Sequence, residues 1–233
     1  MIGWLIYSAV DVEKNKYYIQ MYKDKFKEHF IEIKLVIVEE LENMEQYVKC
    51  NKVDFAINRS RNHIMGELLE QKGVRVFNSS SVTRIANNKG ITYEFLKDVV
   101  PFLAVKYGNE IIESKIENKG FEYPYVIKSC SGHGGSQVFL VNNSKEDEQA
   151  VKAMNGQEYV VQQCCSDLGR DVRVYVIGNK IIKAVLRTST ESFKSNYSLG
   201  GKVQEYTLNN EEKAMVERIV DKLPLDYAGI DFT

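Results

Sequence analysis

The chain has 233 residues and a formal net charge of −1, from 31 Lys and Arg against 32 Asp and Glu. Apolar residues at 44% and charged residues at 27% supply a buried core and exclude wholesale disorder, while the even charge balance argues against a general nucleic-acid binder, which carries a basic excess. No run approaches the ~18 apolar residues that span a bilayer, Met1–Tyr7 lacks the basic start of a signal peptide, and Cys50, Cys130, Cys164 and Cys165 form neither a disulfide framework nor a CxxC zinc pair, so a cytoplasmic protein is expected.

The chain opens by alternating strand and helix. Gly3–Ser8 reads as a strand. Lys14–Phe30 has helical spacing, with Tyr18, Met21, Tyr22, Phe26 and Phe30 expected near one face. A second strand over Ile33–Val38, a polar helix over Glu39–Lys49 and a third strand over Val53–Ile57 follow. Ile64–Gln71 is a helix stopped by Gly73, and Val74–Phe77 a fourth strand. This alternation predicts βαβ units on a parallel sheet, ending near residue 80.

Past the polar break Asn78–Ser81, two helices run to about Asp98. Then come a strand at Phe102–Lys106, a helix at Glu110–Asn118, strands at Tyr125–Ser129 and Gln137–Val141, and a helix at Lys145–Met154. The remainder is strand-rich: Tyr159–Cys164, Asp171–Ile177, Lys180–Arg187 and Val203–Leu208 carry β-branched or aromatic residues. Gly178-Asn179 signals a two-residue hairpin between two of them. Glu211–Leu223 is a helix and Tyr227–Phe232 a last strand.

Four features carry candidate chemistry. Ser131-Gly132-His133-Gly134-Gly135-Ser136 lies in a hairpin, strand to loop to strand. A Rossmann or P-loop motif needs a helix after its glycines, so this loop is either a flexible flap offering backbone N–H groups to phosphates or a long exposed turn. Lys128 sits two residues before that loop in an apolar strand, placed to pair with a phosphate or to face solvent. Asp171, Arg173 and Tyr175 alternate, so they share one sheet face. That face is either a solvated outer surface or the lining of a cleft for an anionic substrate. Phe193–Lys202 is a polar, Gly-containing stretch, a functional or a mobile loop. Arg59-Ser60-Arg61 closes the third strand at its carboxyl end, where such sheets bind ligands; it faces an acceptor carboxylate or forms a plain solvated turn.

Taken in order, Lys89, Tyr125-Val126-Ile127-Lys128, the Ser131–Ser136 loop, Val160-Val161-Gln162-Gln163, Gly169–Arg173, Phe193–Asn196 with Gly200-Gly201, and Ala228-Gly229-Ile230-Asp231 resemble the ATP-grasp enzymes, and among them the RimK-like and glutathione synthetase-like carboxylate–amine ligases. The resemblance implies an α/β fold in three parts. Residues 1–80 form an α/β domain with a parallel sheet, 81–157 a first lobe carrying the Gly-rich loop, and 158–233 a second lobe, with antiparallel sheets in the two lobes. It implies ATP and Mg²⁺ as cofactors, a small-molecule or peptide carboxylate and an amine as substrates, no nucleic acid or membrane partner, and a homo-oligomer by default.

Residue by residue, the resemblance makes Lys89 and Lys128 phosphate contacts and Ser131, Gly132, His133, Gly134, Gly135 and Ser136 the lid over them. Gln162, Gln163, Cys164 and Cys165 belong to the segment against adenine, where the family usually has an acid in place of Gln163. Asp171 takes the ribose position, Asn196 is a phosphate contact and Lys194 a basic residue lining the cleft. Arg173 and Arg187 are the catalytic candidates, facing the acceptor or acyl phosphate and the transferred phosphate, and Asp231 the metal carboxylate. The family continues past that position to a Glu-x-Asn completing the metal site. These residues stop at Thr233 without it, which reads as a truncated second lobe. The implied reaction is amide or peptide bond formation through an acyl phosphate. A nucleotide-binding module without turnover and an ATP-grasp kinase are the alternatives.

Overall fold

Ile2–Tyr7 forms β1, and the apolar face on either side of it explains why: Trp4, Leu5 and Ile6 are all fully buried. A strand buried on both faces belongs in a parallel sheet covered by helices. The computed structural model describes residues 1–108, 120–135, 137–190, 193 and 201–232. The expected helix at 110–118, Ser136, Lys194 and Asn196 lie outside them. The described chain divides into two units, Met1–Arg84 and Ile85–Thr233.

In the first unit β2 (Glu32–Ile37), β3 (Phe55–Asn58) and β4 (Arg75–Phe77) join β1 in the order β2-β1-β3-β4, every pairing parallel. The connecting helices are α1 (Ala9–Val12), α2 (Lys16–Lys27), α3 (Met44–Cys50) and α4 (His63–Gln71). Trp4, Ile6, Val36, Ala56, Met65 and Val76 make the core on one side. Gly73 ends α4 at φ 80°, a left-handed backbone that favours glycine. The polar helix expected over Glu39–Lys49 is confined to α3, where Asn43 caps the first turn by accepting from Gln46 N.

One expectation is corrected here. The helix read over Lys14–Phe30 begins at Lys16 and ends at Lys27, and its only buried residue is Ile19. Tyr18 is 53% and Phe30 95% exposed. The inward stripe is Ile19, Tyr22 and Phe26, with Phe26 stacked on Phe55 at 5.6 Å. Aromatic residues on the solvent side of a helix imitate an apolar face when only spacing is read.

The second unit begins at Ile85, in the last turn of α5 (Ser80–Ala86), and contains α6 (Lys89–Leu96) and two four-stranded antiparallel sheets. The first, ordered β5-β8-β6-β7, joins β5 (Val105–Tyr107), β6 (Tyr125–Ser129), β7 (Val138–Val141) and β8 (Tyr159–Gln163). Helix α7 (Ser144–Met154) covers one face through Ala150 and Met154, packed with Tyr125, Ile127, Tyr159 and Val161. The second sheet is ordered β11-β10-β9-β12, from β9 (Arg170–Ile177), β10 (Lys180–Thr188), β11 (Lys202–Tyr206) and β12 (Tyr227–Phe232). Gly178 and Asn179 turn β9 into β10 with φ of 55° and 62°, the sign a two-residue hairpin requires. Val172, Val174 and Val176 are buried on one face, while Asp171, Arg173 and Tyr175 occupy the other. Helix α8 (Asn210–Lys222) starts from a complete capping box, with Asn209 and Glu212 each accepting from the other's backbone. Its Ile219 joins Leu96 and Val100 in a core that Ile230 and Phe232 of β12 also touch.

Candidate active site

Helix α6 begins where it does because the Asn88 side chain accepts from Ile91 N at 3.1 Å. That cap puts Lys89 at the first helical position, with its backbone N bonded to Cys130 O at 2.9 Å. Its amine donates to Ser129 O at 3.1 Å and to Gly132 O. Lys89 thus braces the start of the Gly-rich loop from below. Replacing Asn88 with Ala removes one cap, at a cost of about 1 kcal/mol in a urea melt, and is expected to loosen Lys89 from Gly132 as well.

Lys128 lies in β6 opposite Val160 of β8, and its amine donates to Gln162 Oε1. Burial holds its pKa below the ordinary lysine value, and the Lys89 ammonium lowers it further. Lys89 is lowered too, by burial. Among the described residues neither amine forms an ion pair with a carboxylate. Two neighbouring ammonium groups, both desolvated and held only by neutral oxygens, form a place where an anion is strongly favoured.

The loop above them is shaped for backbone exposure. Gly134 and Gly135 have φ of 65° and 78°, which an L side chain rarely adopts. At Gly132 a Cβ would come within 3.2 Å of Ser129 Cβ. His133 Nδ1 lies 2.8 Å from Ser131 O, and a carbonyl only accepts, so Nδ1 carries the proton. Gln162 is 8% exposed and its amide oxygen is spent on Lys128, a role set by the register that puts Gln162 opposite Val126, two residues from Lys128. Gln163 N donates to Ala104 O at 2.9 Å. Cys164 and Cys165 follow β8 as half-buried free thiols, with Cys164 raised by burial.

The second sheet brings four charges together. Arg187 of β10 opposes Asp171 of β9, and Asp231 of β12 opposes Arg173 of β9. Arg187 donates to both Asp171 oxygens, at 2.6 and 2.5 Å, and reaches Asp231 Oδ1 at 3.1 Å. Arg173 donates to both Asp231 oxygens, at 2.7 and 2.6 Å. The Asp231 hydrogen bond raises the Arg173 pKa against the effect of burial. For Arg187 burial opposes the charge, and the Asp171 bond with the Asp231 charge outweighs it. Sequence spacing put Asp171 and Arg173 on one face; it did not reveal that the charges cancel pairwise. Gly229 was read only as part of the Ala228–Asp231 motif: a Cβ there would sit 3.3 Å from Arg173 Nε, so its bare Cα leaves the lane along which Arg173 reaches Asp231.

Asp231 has the hard oxygen chemistry that suits a divalent cation, but both its oxygens are engaged by Arg173. No group of three or more His, Cys, Asp or Glu side chains that could hold a metal ion occurs among the described residues. A separate cavity of about 690 Å³, bordered by Gly90, Tyr107, Cys130 and Tyr159, contains none of the charged side chains above except through the neighbours of Lys89. In the first unit, Ser60 is buried and bonded to Asn58, and Arg61 is paired with Asp11, so the turn after β3 is a built corner.

The family model described as the RimK-like ATP-grasp domain matches residues 97–233. The chain belongs to the RimK-like ATP-grasp family. The Mycoplasma genitalium protein MG012 is 30% identical over 195 residues, covering 78% of this chain and 67% of that protein. A probable alpha-L-glutamate ligase of Haemophilus ducreyi is 26% identical over 167 residues, covering 69% of this chain and 54% of the ligase. The RimK domain ATP-grasp protein of Sphaerobacter thermophilus superposes with a TM-score of 0.73 at 20% identity, covering 99% of this chain and 85% of that one. The mixed α/β architecture expected from the sequence is therefore that of RimK-like ATP-grasp proteins. The ligase class stands with the family, as an ATP-grasp enzyme forming a C–N bond. Among the described residues of this RimK-like chain no helix is long and apolar enough to cross a membrane.

Proposed function

We propose that this chain joins a carboxylate to an amine by way of an acyl phosphate, with ATP held over Lys89 and Lys128 and Mg²⁺ at Asp231. The observation that carries this reading is the pair of desolvated lysines under the Gly-rich turn, neutralised by no carboxylate among the described residues. Bound ATP supplies the phosphoryl group. Lys128 and Lys89 position it and offset its charge, which is most of what phosphoryl transfer asks of a protein. The Gly-rich loop, which the sequence resemblance runs from Ser131 to Ser136, is assigned the shielding of the acyl phosphate from water. Arg173 presents its guanidinium fork to the carboxylate and then to the acyl phosphate. Arg187 anchors Asp171 and Asp231 and acts through them, beside the ribose and the metal. From the sequence resemblance we also assign Lys194 and Asn196 to ATP binding, with Gln162, Gln163, Cys164 and Cys165 on the adenine side.

The name of the Haemophilus ducreyi relative supports glutamate as one of the two substrates. Four free thiols suit a reducing, cytoplasmic setting, and the three-part division at residues 80 and 157 remains our reading of the chain. The test is incubation with ATP, Mg²⁺ and glutamate against a panel of carboxylates and amines, read by phosphate release and product mass. An amide product with ADP and phosphate is expected. A stable phosphoester would make the protein a kinase, and nucleotide binding with no product under any pairing would leave a binding module.

A further inference from the structure

Lys89 and Lys128 are both held by uncharged oxygens, but of two kinds. Lys89 donates to backbone carbonyls, Ser129 O and Gly132 O, which no substitution can ionise. Lys128 donates to a side chain, Gln162 Oε1, and a single heavy atom separates that amide from the carboxylate of a glutamate. We propose that Gln162 is a positioning residue for the bound anion: its neutral amide fixes Lys128 on the sheet and leaves the lysine's charge to the ligand. That the anion is the phosphate chain of ATP rests on the ligase reading; the neutral tether does not.

Strand register brings the two side chains together. Gln162 opposes Val126 and Lys128 opposes Val160, so both stand on one face of the sheet as a diagonal pair. Gln162 is buried, which confines its amide. An ammonium only donates, so the amide oxygen is the atom spent on Lys128 and the two hydrogens of Nε2 stay available. Nε2 makes no hydrogen bond among the described residues. The groups around the Lys128 amine are the Lys89 ammonium and the free thiols of Cys164 and Cys165. Among the described residues no carboxylate pairs with it. A glutamate at position 162 would bring the first negative charge into that set. It would cancel the lysine by direct contact, and it would replace two N–H donors with an oxygen that repels phosphate.

The test follows the Lys128 amine by NMR titration in the intact chain, its signal assigned by its loss in Lys128→Met. Gln162→Glu should raise the Lys128 pKa above that of the wild type, because a carboxylate favours the ammonium. Gln162→Met keeps the bulk and removes the acceptor, so it should lower the pKa below the wild type. A residue that only packs would leave the titration the same in all three proteins, and that result overturns the proposal. Calorimetry with a non-hydrolysable ATP analogue and with inorganic tripolyphosphate is the second arm. Gln162→Glu should bind each about tenfold more weakly than the wild type, with Gln162→Met in between. Tripolyphosphate held as tightly by Gln162→Glu as by the wild type, or by neither, also overturns the proposal. Should Gln162→Glu fail to fold, the Gln162→Met titration decides. Tripolyphosphate binding in the expected order with no nucleotide binding would defeat the ligase reading and leave the tether standing.

Discussion

Lys128→Met is expected to weaken binding of an ATP analogue by about 10- to 100-fold, the loss that goes with one charge-assisted hydrogen bond. Isothermal titration reads it, and unchanged affinity would remove Lys128 from the phosphate site. The same substitution has a pH signature. The folded pKa of Lys128 lies below the ordinary 10.5, because the group is buried and Lys89 is near. Between that lowered value and 10.5 the unfolded chain binds the proton and the folded chain does not. Unfolding free energy therefore rises with pH across this window, and the penalty of charging the buried amine returns as pH falls through the folded value. Lys128→Met lacks this contribution, so the stability difference between wild type and variant should shift in favour of the wild type from neutral pH toward pH 10. Urea melts at several pH values measure it. A difference that stays flat would mean that the amine is as well solvated in the fold as in the unfolded chain.

Arg187→Leu should be the most destabilising single change on the second sheet, by about 3–5 kcal/mol, since it leaves Asp171 buried without its partner. Arg187 is 5% exposed and donates to both oxygens of Asp171. The control is Arg187→Leu with Asp171→Leu, which removes the pair together and should recover most of the loss. A single variant within about 1 kcal/mol of the wild type would show that the pair braces nothing. Arg173→Gln, at the exposed pair, should cost far less, about 1 kcal/mol or below. The contrast separates the buried pair from the exposed one by stability alone.

Much of this fold was legible because its signals are local. The Gly178-Asn179 turn, the Val172/Val174/Val176 alternation and the Gly73 stop each involve neighbours in the chain, and each element formed where expected. Helix α2 failed for a physical reason. Tyr18 and Phe30 are apolar enough to complete a stripe on paper, yet nothing covers them in their own unit. The site was legible as a set of ions but not as a set of pairs. Arg173 and Asp231 are 58 residues apart, Arg187 and Asp171 16. Which charge meets which is decided by the register of β9 against β10 and β12, a property no single stretch of sequence contains. The neutral partner of Lys128 was hidden in the same way, 34 residues on at Gln162.

Asn43, Asn62, Asn88, Asn143 and Asn209 each start a helix by accepting a backbone N–H. A carboxamide has no proton to gain at any pH at which a protein is handled, whereas an aspartate cap weakens once its carboxylate is neutralised. The caps of α3, α4 and α6 are thus indifferent to acid, whereas α7 and α8 also use the carboxylates of Glu146 and Glu212, which accept from Asn142 N and Asn209 N. Of these five helices, the three whose caps contain no ionisable group, α3, α4 and α6, should keep their cap hydrogen bonds unchanged as pH falls.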